Sequence, residues 1–307
     1  PKFWDKQYIT FFSVILWPLS FFYQILLSIK KSLGKNKKFS TPIICVGNIY
    51  VGGTGKTPIA SKIFEIFKNE KNPIVIKKNY KDQKDEIELL SKYSKVISEK
   101  DRLSSVIRAI EQKFNLLILD DGFQDFDIKK KLNIVCFNSK QKIGNGQTIP
   151  AGPLRQNLSA LKDCQIVLIN GKKDMEFEIK LKKYNDKLKF FYFNYLPKNL
   201  SGYKNRKLIA FAGIGNPENF FELLKSNYLN VVKEISFPDH YNYSDKDLDK
   251  LIVLEKKYNA KLITTEKDYL RISSFRRRGF GVMPVETKIN EEIMFVKLVK
   301  EIINEST

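Results

Sequence analysis

The chain of 307 residues contains only three cysteines and one histidine. Cys45, Cys136 and Cys164 lie in apolar, strand-like runs without C-x-x-C spacing, so neither disulfides nor a zinc site is predicted. They are typical of small buried side chains in a reducing compartment. Internal repeats and low-complexity segments are lacking, and a hydrophobic content of 43% argues against a disordered chain.

Acidic residues are too few to balance the basic ones: 34 Asp and Glu face 54 Lys and Arg, which gives a formal net charge of +20. This excess indicates a polyanionic partner, or a lysine-rich bias spread over solvated faces. Lysine greatly outnumbers arginine, whereas base readout favours arginine. Aromatic residues do not alternate with basic ones as in base-stacking surfaces. We therefore expect no nucleic-acid partner.

Charge is almost absent from residues 8–29, a run that can just cross a hydrocarbon layer of about 30 Å. Pro18 and Gln24 weaken it, so a helix in the membrane plane, or a buried core helix, is an alternative. The basic flank 30–38 is typical of the cytoplasmic side. A signal-peptide cleavage site is lacking. We expect residues 1–40 to form a membrane anchor that leaves the remainder in the cytoplasm.

From residue 42 onward, strand patterns alternate with helical ones, which predicts an α/β fold with a doubly wound, mostly parallel sheet. Residues 187–197 are expected to form an extended connector. A second α/β series follows and ends in a helix near 291–305. We therefore predict a P-loop domain over 41–198 and a second, smaller α/β lobe over 199–307. The strand candidates are 42–47, 73–77, 95–98, 115–120, 132–137 and 164–170, then 207–213, 231–237, 261–265 and 281–285.

A glycine-rich loop lies between the first strand pattern and a helical one. Such a loop directs backbone N–H groups and the positive end of the helix dipole at one point, which suits nucleotide phosphates. Lys56 would contact the β- and γ-phosphates and Thr57 would bind Mg²⁺. Tyr50 stands where the strict P-loop pattern has glycine. The alternative to a phosphate-binding loop is a glycine turn in which the sequence Gly-Lys-Thr occurs by chance. The predicted nucleotide-binding residues are Gly52, Gly53, Thr54, Gly55, Lys56 and Thr57.

Two adjacent acids, Asp120 and Asp121, end the apolar run 114–119. Side chains at the carboxyl ends of parallel strands face the ligand crevice, and here they would lie beside the glycine-rich loop. One of these acids would hold Mg²⁺, directly or through water. Together the two motifs predict a protein that hydrolyses a nucleoside triphosphate or transfers its phosphoryl group.

Several motifs in this order resemble the tetraacyldisaccharide 4′-kinase family, the lipid A kinases of Gram-negative bacteria. The resemblance covers nearly the whole chain, including the apolar amino-terminal run. Its motifs are Gly47-Asn48, the run 52–58, Leu119-Asp120-Asp121-Gly122-Phe123-Gln124, Gly152-Pro153-Leu154-Arg155, Ala212-Gly213-Ile214-Gly215-Asn216-Pro217, Phe237-Pro238-Asp239-His240-Tyr241 and Thr265-Glu266-Lys267-Asp268.

The resemblance implies ATP-dependent phosphorylation of the 4′-hydroxyl of a tetraacyldisaccharide 1-phosphate, with Mg²⁺, at the cytoplasmic face of the inner membrane. It also implies a crevice between two lobes that closes on nucleotide. A four-chain lipid barely leaves the bilayer, so an anchored enzyme with a basic surface is expected to bind inner-membrane lipids as well.

The resemblance further implies catalytic roles for residues outside the glycine-rich loop. Asp85 would act as general base on the sugar hydroxyl, and His240 would orient it or share its proton. Arg155 and Arg102 would stabilise charge on the transferring phosphoryl group, although Arg102 is equally compatible with a salt bridge. Asp125 and Gln156 depart from the family pattern, which has a histidine and commonly an acid at these positions.

Two other classes of function are compatible with a phosphate-binding loop. A membrane-associated P-loop NTPase would use hydrolysis to drive a protein partner, and a basic ATPase would act on nucleic acid. The elaborate second lobe with its Pro-Asp-His turn argues against the first, and the apolar amino terminus argues against the second.

Overall fold

The computed structural model describes residues 1–80 and 84–305, which group into two compact units. Unit 1 comprises Pro1–Asn79, Tyr93–Asn194 and Ile289–Thr307, and unit 2 comprises Tyr80–Lys92 and Tyr195–Lys288. The helices are α1 (Phe11–Ser32), α2 (Lys56–Phe67), α3 (Lys84–Tyr93), α4 (Arg102–Glu111), α5 (Met175–Lys182), α6 (Pro217–Ser226), α7 (Asp245–Tyr258), α8 (Glu266–Arg271) and α9 (Glu292–Asn304).

The strands form two sheets, and both confirm the predicted doubly wound α/β fold. The strands are β1 (Ile43–Gly47), β2 (Pro73–Lys78), β3 (Val96–Glu99), β4 (Leu116–Asp120), β5 (Leu132–Asn138), β6 (Ile166–Asn170), β7 (Lys189–Pro197), β8 (Lys207–Ala212), β9 (Asn230–Ser236), β10 (Lys261–Thr265), β11 (Gly281–Met283) and β12 (Val285–Ile289). One sheet has eight strands in the order β12-β7-β6-β5-β1-β4-β2-β3, and the other has four in the order β11-β10-β8-β9.

The centre of the larger sheet places two of the predicted motifs side by side. Strand β1 pairs in parallel with β4 on one side and β5 on the other, and Val46 lies opposite Asp120. Every residue of β1 and β4 is buried, as expected for strands covered on both faces. The glycine-rich loop that follows β1 is therefore a neighbour of the acids that end β4.

Two segments differ from the expected organisation. The run 189–197 is strand β7, not a simple connector, because it pairs in parallel with β6 and buries Phe191 through Phe193. The final helix, α9, groups with unit 1, although the sequence suggested the second lobe. Its Phe295 ring packs edge-on against Phe191 at 5.4 Å, and its Lys300 forms an ion pair with Glu70.

Helix α1 packs against the rest of unit 1 along one narrow face. Ser13 and Ser20, seven residues apart, are the buried residues of this helix, and Ser20 Oγ donates to Thr148 O at 2.8 Å. Tyr23 donates its hydroxyl to Arg155 O at 2.9 Å. The other faces expose large apolar side chains, and the helix is long and apolar enough to cross a membrane by length and composition.

Candidate active site

The glycine-rich loop of unit 1 adopts a backbone that glycine permits at little cost. Gly52 has φ of 103° and Gly55, the residue before α2, has φ of 91°. Helix α2 begins at Lys56 without a side-chain cap, so its first N–H groups are available to an anion. Thr54 is buried, and its hydroxyl has no hydrogen-bond partner among the residues that the structure describes. These features suit a bound phosphate.

The Asp120 carboxylate lies directly behind this loop and is fully buried. One of its oxygens, Oδ2, accepts from Thr57 Oγ1 at 3.0 Å and from Lys77 Nζ at 2.8 Å. The other, Oδ1, has no hydrogen-bond partner in the described part of the chain. A buried carboxylate oxygen without a donor is costly unless a ligand satisfies it.

This arrangement fits a magnesium ion at Thr57 and Asp120, since Mg²⁺ takes oxygen ligands and is commonly held by one or two carboxylates together with substrate phosphates. Asp121, also predicted as a ligand, is engaged elsewhere in the structure. Within residues 1–80 and 84–305, no group of three Asp, Glu, His or Cys side chains surrounds a metal position. Phosphate and water commonly supply the other ligands of a protein-bound Mg²⁺.

Asp121 forms a charge cluster with Arg155 and Lys56. Both of its carboxylate oxygens accept from Arg155 Nη1, at 2.9 and 3.0 Å, and Lys56 Nζ lies 3.8 Å from Oδ1. Burial alone would raise the pKa of Asp121, but the charges of Lys56 and Arg155 outweigh it, so the pKa lies below its usual range. Burial lowers the pKa of Lys56, and Asp121 opposes that shift. An incoming phosphate would meet two cations that one carboxylate now balances.

The segment that carries Arg155 is paired with the backbone that enters the loop. Arg155 N donates to Ile49 O at 2.6 Å, and Val51 N donates to Pro153 O at 2.8 Å. Gly152 is required here because a Cβ would lie 2.1 Å from Asn145 Oδ1. This pairing fixes the guanidinium beside the loop and explains why the two motifs occur together.

Three side-chain amides to which the sequence assigned no role, those of Asn48, Gln124 and Gln156, support the same backbone. Gln124 Nε2 donates to Asn48 O at 2.8 Å and to Gln156 Oε1 at 3.1 Å. Asn48 is buried and its Nδ2 donates to Tyr50 O. Gln156, which stands where the family commonly has an acid, is thus a buried hydrogen-bond partner of Gln124.

Arg102 lies below the acidic pair, and its guanidinium bonds to protein groups. Nη2 donates to Asp120 O at 3.1 Å and to Asp121 O at 3.0 Å, while Nη1 pairs with Asp125 Oδ2 at 3.2 Å. Its side chain is 6% exposed. These contacts suit a structural role for Arg102, with Asp125 as its charged partner, and this role competes with the expected contact to a transferring phosphoryl group.

Replacing Arg102 with Met should destabilise unit 1, because it removes the donor to two backbone carbonyls and to Asp125 Oδ2. We expect a loss of about 3–5 kcal/mol in the free energy of unfolding, measured by chemical denaturation. The control is Arg108→Met on the same helix, which removes an exposed pair with Glu99 and should cost about 0–1 kcal/mol. Equal stability of the two variants would contradict a structural role for Arg102.

His240 and Asp85 both lie in unit 2 and meet at one arginine. Arg271 Nε donates to Asp85 Oδ2 at 2.9 Å, and its Nη2 lies 3.3 Å from His240 Nδ1. The His240 backbone has φ of 59°, and its N–H donates to Gly213 O at the end of β8. In the described part of the chain, Asp85 and His240 do not hydrogen-bond to each other. The predicted pair is therefore linked through Arg271.

Sequence reasoning missed four residues of this cluster. Lys267 donates to Glu86 Oε1 at 2.7 Å and lies 3.4 Å from His240 Nε2, and Asp268 accepts from Arg271 Nη1 at 3.1 Å. The Thr265-Glu266-Lys267-Asp268 motif was a signal for two of them. Thr265 caps α8 and accepts from the Asp268 N–H at 3.1 Å, which fixes the turn that presents Lys267 and Arg271.

The predicted site residues thus fall into two groups. Unit 1 brings together the glycine-rich loop, Lys56, Thr57, Asp120, Asp121, Arg155 and, beneath them, Arg102. Unit 2 brings together Asp85 and His240 through Arg271. The first group suits a nucleotide and a metal, and the second suits proton transfer.

Comparisons with known proteins agree on one family. The model of the tetraacyldisaccharide-1-P 4′-kinase family matches residues 12–304. A tetraacyldisaccharide 4′-kinase from Pelagibacter ubique is 43% identical over 297 residues, which is 95% of this chain and 94% of the relative. A tetraacyldisaccharide 4′-kinase from Rickettsia bellii is 36% identical over 290 residues, or 89% of each chain.

The fold has a counterpart among solved structures, LpxK from Aquifex aeolicus in complex with ATP. The two chains share 24% sequence identity with a TM-score of 0.71, over 95% of this chain and 99% of that one. The family match spans nearly all of the chain and includes all of unit 2 and most of unit 1. The chain therefore belongs to the tetraacyldisaccharide-1-P 4′-kinase family.

Proposed function

We propose that this chain transfers the γ-phosphate of ATP to the 4′-hydroxyl of a tetraacyldisaccharide 1-phosphate. One observation carries the proposal: in a member of this kinase family, a phosphate-binding loop lies against a buried carboxylate that has one unsatisfied oxygen, Asp120 Oδ1. The alternative, an NTPase that drives a protein partner, gains no support from the relatives, which are named as kinases.

In unit 1, the backbone N–H groups of the loop and Lys56 would bind the phosphates. Mg²⁺, held at Thr57 and Asp120, would neutralise charge on the β- and γ-phosphate oxygens. Arg155 would stabilise the charge that develops on the transferring group, since Asp121 already holds its guanidinium in place. Little covalent chemistry is required of the protein, so positioning and electrostatics dominate.

In unit 2, Asp85 would accept the proton of the 4′-hydroxyl. The hydroxyl oxygen then forms a bond to the γ-phosphorus as the bond from that phosphorus to the bridging oxygen of ADP breaks. The proton ends on Asp85, and the electron pair of the broken bond ends on ADP. Asp85 Oδ2 is bound by Arg271, so Oδ1 is the oxygen that would take the proton.

The direct test is the fate of label from γ-labelled ATP incubated with purified acceptor lipid. A kinase moves the label into a chloroform-soluble lipid, whereas an NTPase releases it as inorganic phosphate. Label that appears only as phosphate in the presence of acceptor would refute the proposal.

For the location of the enzyme, we propose that α1 lies along the cytoplasmic face of the inner membrane. Its docked face includes Ser13, Ser20 and Tyr23, which cover ten residues or about 15 Å of helix. Over that length the helix is hydrogen-bonded to a polar loop of the protein. The part of α1 that remains free to contact lipid is then too short to cross a bilayer. Its exposed aromatic side chains suit partial insertion, and Lys30 and Lys31 follow at the polar boundary.

Replacing both Trp17 and Phe21 with Glu should weaken binding to vesicles that contain anionic lipid. These rings are 56% and 53% exposed and stack at 6.0 Å. Loss of two aromatic groups that insert into the bilayer should lower the partition coefficient at least about tenfold, measured by co-sedimentation. The control, Ile293→Glu, introduces an acid at an 87% exposed apolar residue of α9. Equal binding of both variants would contradict insertion of α1.

A further inference from the structure

The Arg271 guanidinium lies in unit 2 and is held by several protein groups. Its side chain is 5% exposed and contacts four groups. Nε and Nη2 both lie 2.9 Å from Asp85 Oδ2, Nη1 bonds to Gly213 O and to Asp268 Oδ1, and Nη2 faces His240 Nδ1. A buried guanidinium with this many partners is held rigidly, because its planar fork fixes the direction of each donor.

Asp268 holds Arg271 from the side opposite Asp85. It is fully buried and accepts from Gly213 N at 3.0 Å, from Tyr243 at 3.0 Å and from Thr265 Oγ1 at 2.7 Å. The same carboxylate therefore ties the guanidinium to the end of β8 and to the start of α8. Since His240 N–H also donates to Gly213 O, the arginine and the histidine share one backbone anchor.

The contact between Arg271 and His240 bears on which ring nitrogen carries the proton. A guanidinium has only donors, so a hydrogen bond from Arg271 makes His240 Nδ1 the acceptor and leaves the proton of the neutral ring on Nε2. The surroundings of Nε2 are mixed: Lys267 Nζ, which also can only donate, lies 3.4 Å away, and two carboxylate oxygens lie farther out, Glu86 Oε1 at 3.8 Å and Asp239 Oδ1 at 3.9 Å. Lys267 donates to Glu86 at 2.7 Å, whereas Arg271 is held by four groups, so we expect the Arg271 contact to set the tautomer.

We propose that Arg271 is a positioning residue for proton transfer, which orients the Asp85 carboxylate and holds His240 in the Nε2–H tautomer. This proposal rests on the proposed function and deepens it, because it identifies how Asp85 and His240, which do not bond to each other, act together in proton transfer. It also assigns Asp268 the role of fixing Arg271. Neither residue is expected to contact the phosphates.

The chain offers a direct readout, since His240 is its only histidine. The full-length protein labelled with ¹⁵N-histidine should give imidazole signals from one ring, and their shifts distinguish the two neutral tautomers. We expect the Nε2–H tautomer in the unmodified protein without any substrate. Arg271→Lys and Arg271→Ala should lose this preference and give a mixture of tautomers.

The same variants should lower kcat about 100-fold, as expected when a reacting group is misplaced by about 1 Å, and leave the KM for ATP unchanged. The control is Arg276→Lys, five residues along the chain, which pairs with exposed Asp249 and should keep both tautomer and turnover. If Arg271→Ala fails to fold, Arg271→Lys, which preserves the charge, carries the test.

Two results would overturn the proposal. One is a proton on Nδ1 in the unmodified protein, and the other is a folded Arg271→Lys variant with unchanged tautomer and kcat. Failure of the proposed function would look different, because the unmodified protein would then transfer no label to lipid. The tautomer measurement needs no substrate and would still decide the role of Arg271.

Discussion

Replacing Asp85 with Asn is expected to lower kcat by about 10²- to 10⁴-fold while ATP binds as before. The amide oxygen keeps the shape of the group and can still accept from Arg271, but an amide cannot take the proton of the sugar hydroxyl. Asp85 belongs to unit 2, whereas the nucleotide-binding loop belongs to unit 1, so the Kd for ATP should be unchanged. Single-turnover kinetics and equilibrium ATP binding measure the two quantities separately. His240→Ala should show the same pattern.

The matched control for Asp85→Asn is Glu88→Gln on the same helix. Glu88 is exposed, and its Oε1 lies 3.8 Å from Arg277 Nη1. It should leave kcat and the Kd for ATP at their original values. A normal steady-state rate in the Asp85→Asn or the His240→Ala protein would remove that residue from the mechanism.

Replacing Lys56 with Met should lower kcat/KM for ATP by about 10²- to 10³-fold, the cost of losing one preorganised charge at a phosphoryl-transfer site. Lys56 is the first residue of α2, and its ammonium lies 3.8 Å from Asp121 with 13% of the side chain exposed, so screening by water is weak. Its loss leaves Arg155 as the cation that balances Asp121. Initial rates at varied ATP and saturating lipid acceptor measure the effect.

Lys68→Met, at the other end of the same helix, serves as the control for Lys56→Met. Lys68 follows α2 and is exposed, so the same loss of charge should leave kcat/KM unchanged. Thermal unfolding of both variants separates an effect on chemistry from one on folding. A Lys56→Met protein that is folded and fully active would contradict the assignment of the loop.

The sequence predicted the sheets well where burial is continuous. Strands β1 and β4 are buried at every residue, so their apolar runs are unbroken, and turn signals bound them. Strand β7 was missed as a strand because only Phe191 through Phe193 are buried in succession, while the remaining residues are partly or fully exposed. Helix α9 groups with unit 1, and its contact with Phe191 joins residues about a hundred positions apart, which a sequence pattern does not reveal.

In the candidate site, too, residues close together in sequence were predictable and contacts between distant residues were not. Residues of the loop and the paired acids were predictable because glycines and charges at short spacing form a motif. Arg271 was not predictable, since the hydrogen bond that joins it to Asp85 spans 186 positions of the chain. The role of Arg102 was ambiguous, because the sequence does not distinguish a buried arginine that donates to backbone carbonyls from one that faces a ligand.

The activity proposed for this chain is the phosphorylation of one hydroxyl of a lipid. It is tested most directly by locating the new phosphate in the product by ³¹P–¹H correlation NMR, after reaction of ATP with a tetraacyldisaccharide 1-phosphate. We predict a second phosphomonoester that correlates with the 4′ proton of the distal sugar, and one ADP formed for each such phosphate. ADP accompanied by inorganic phosphate, with the acceptor lipid unchanged, would contradict it.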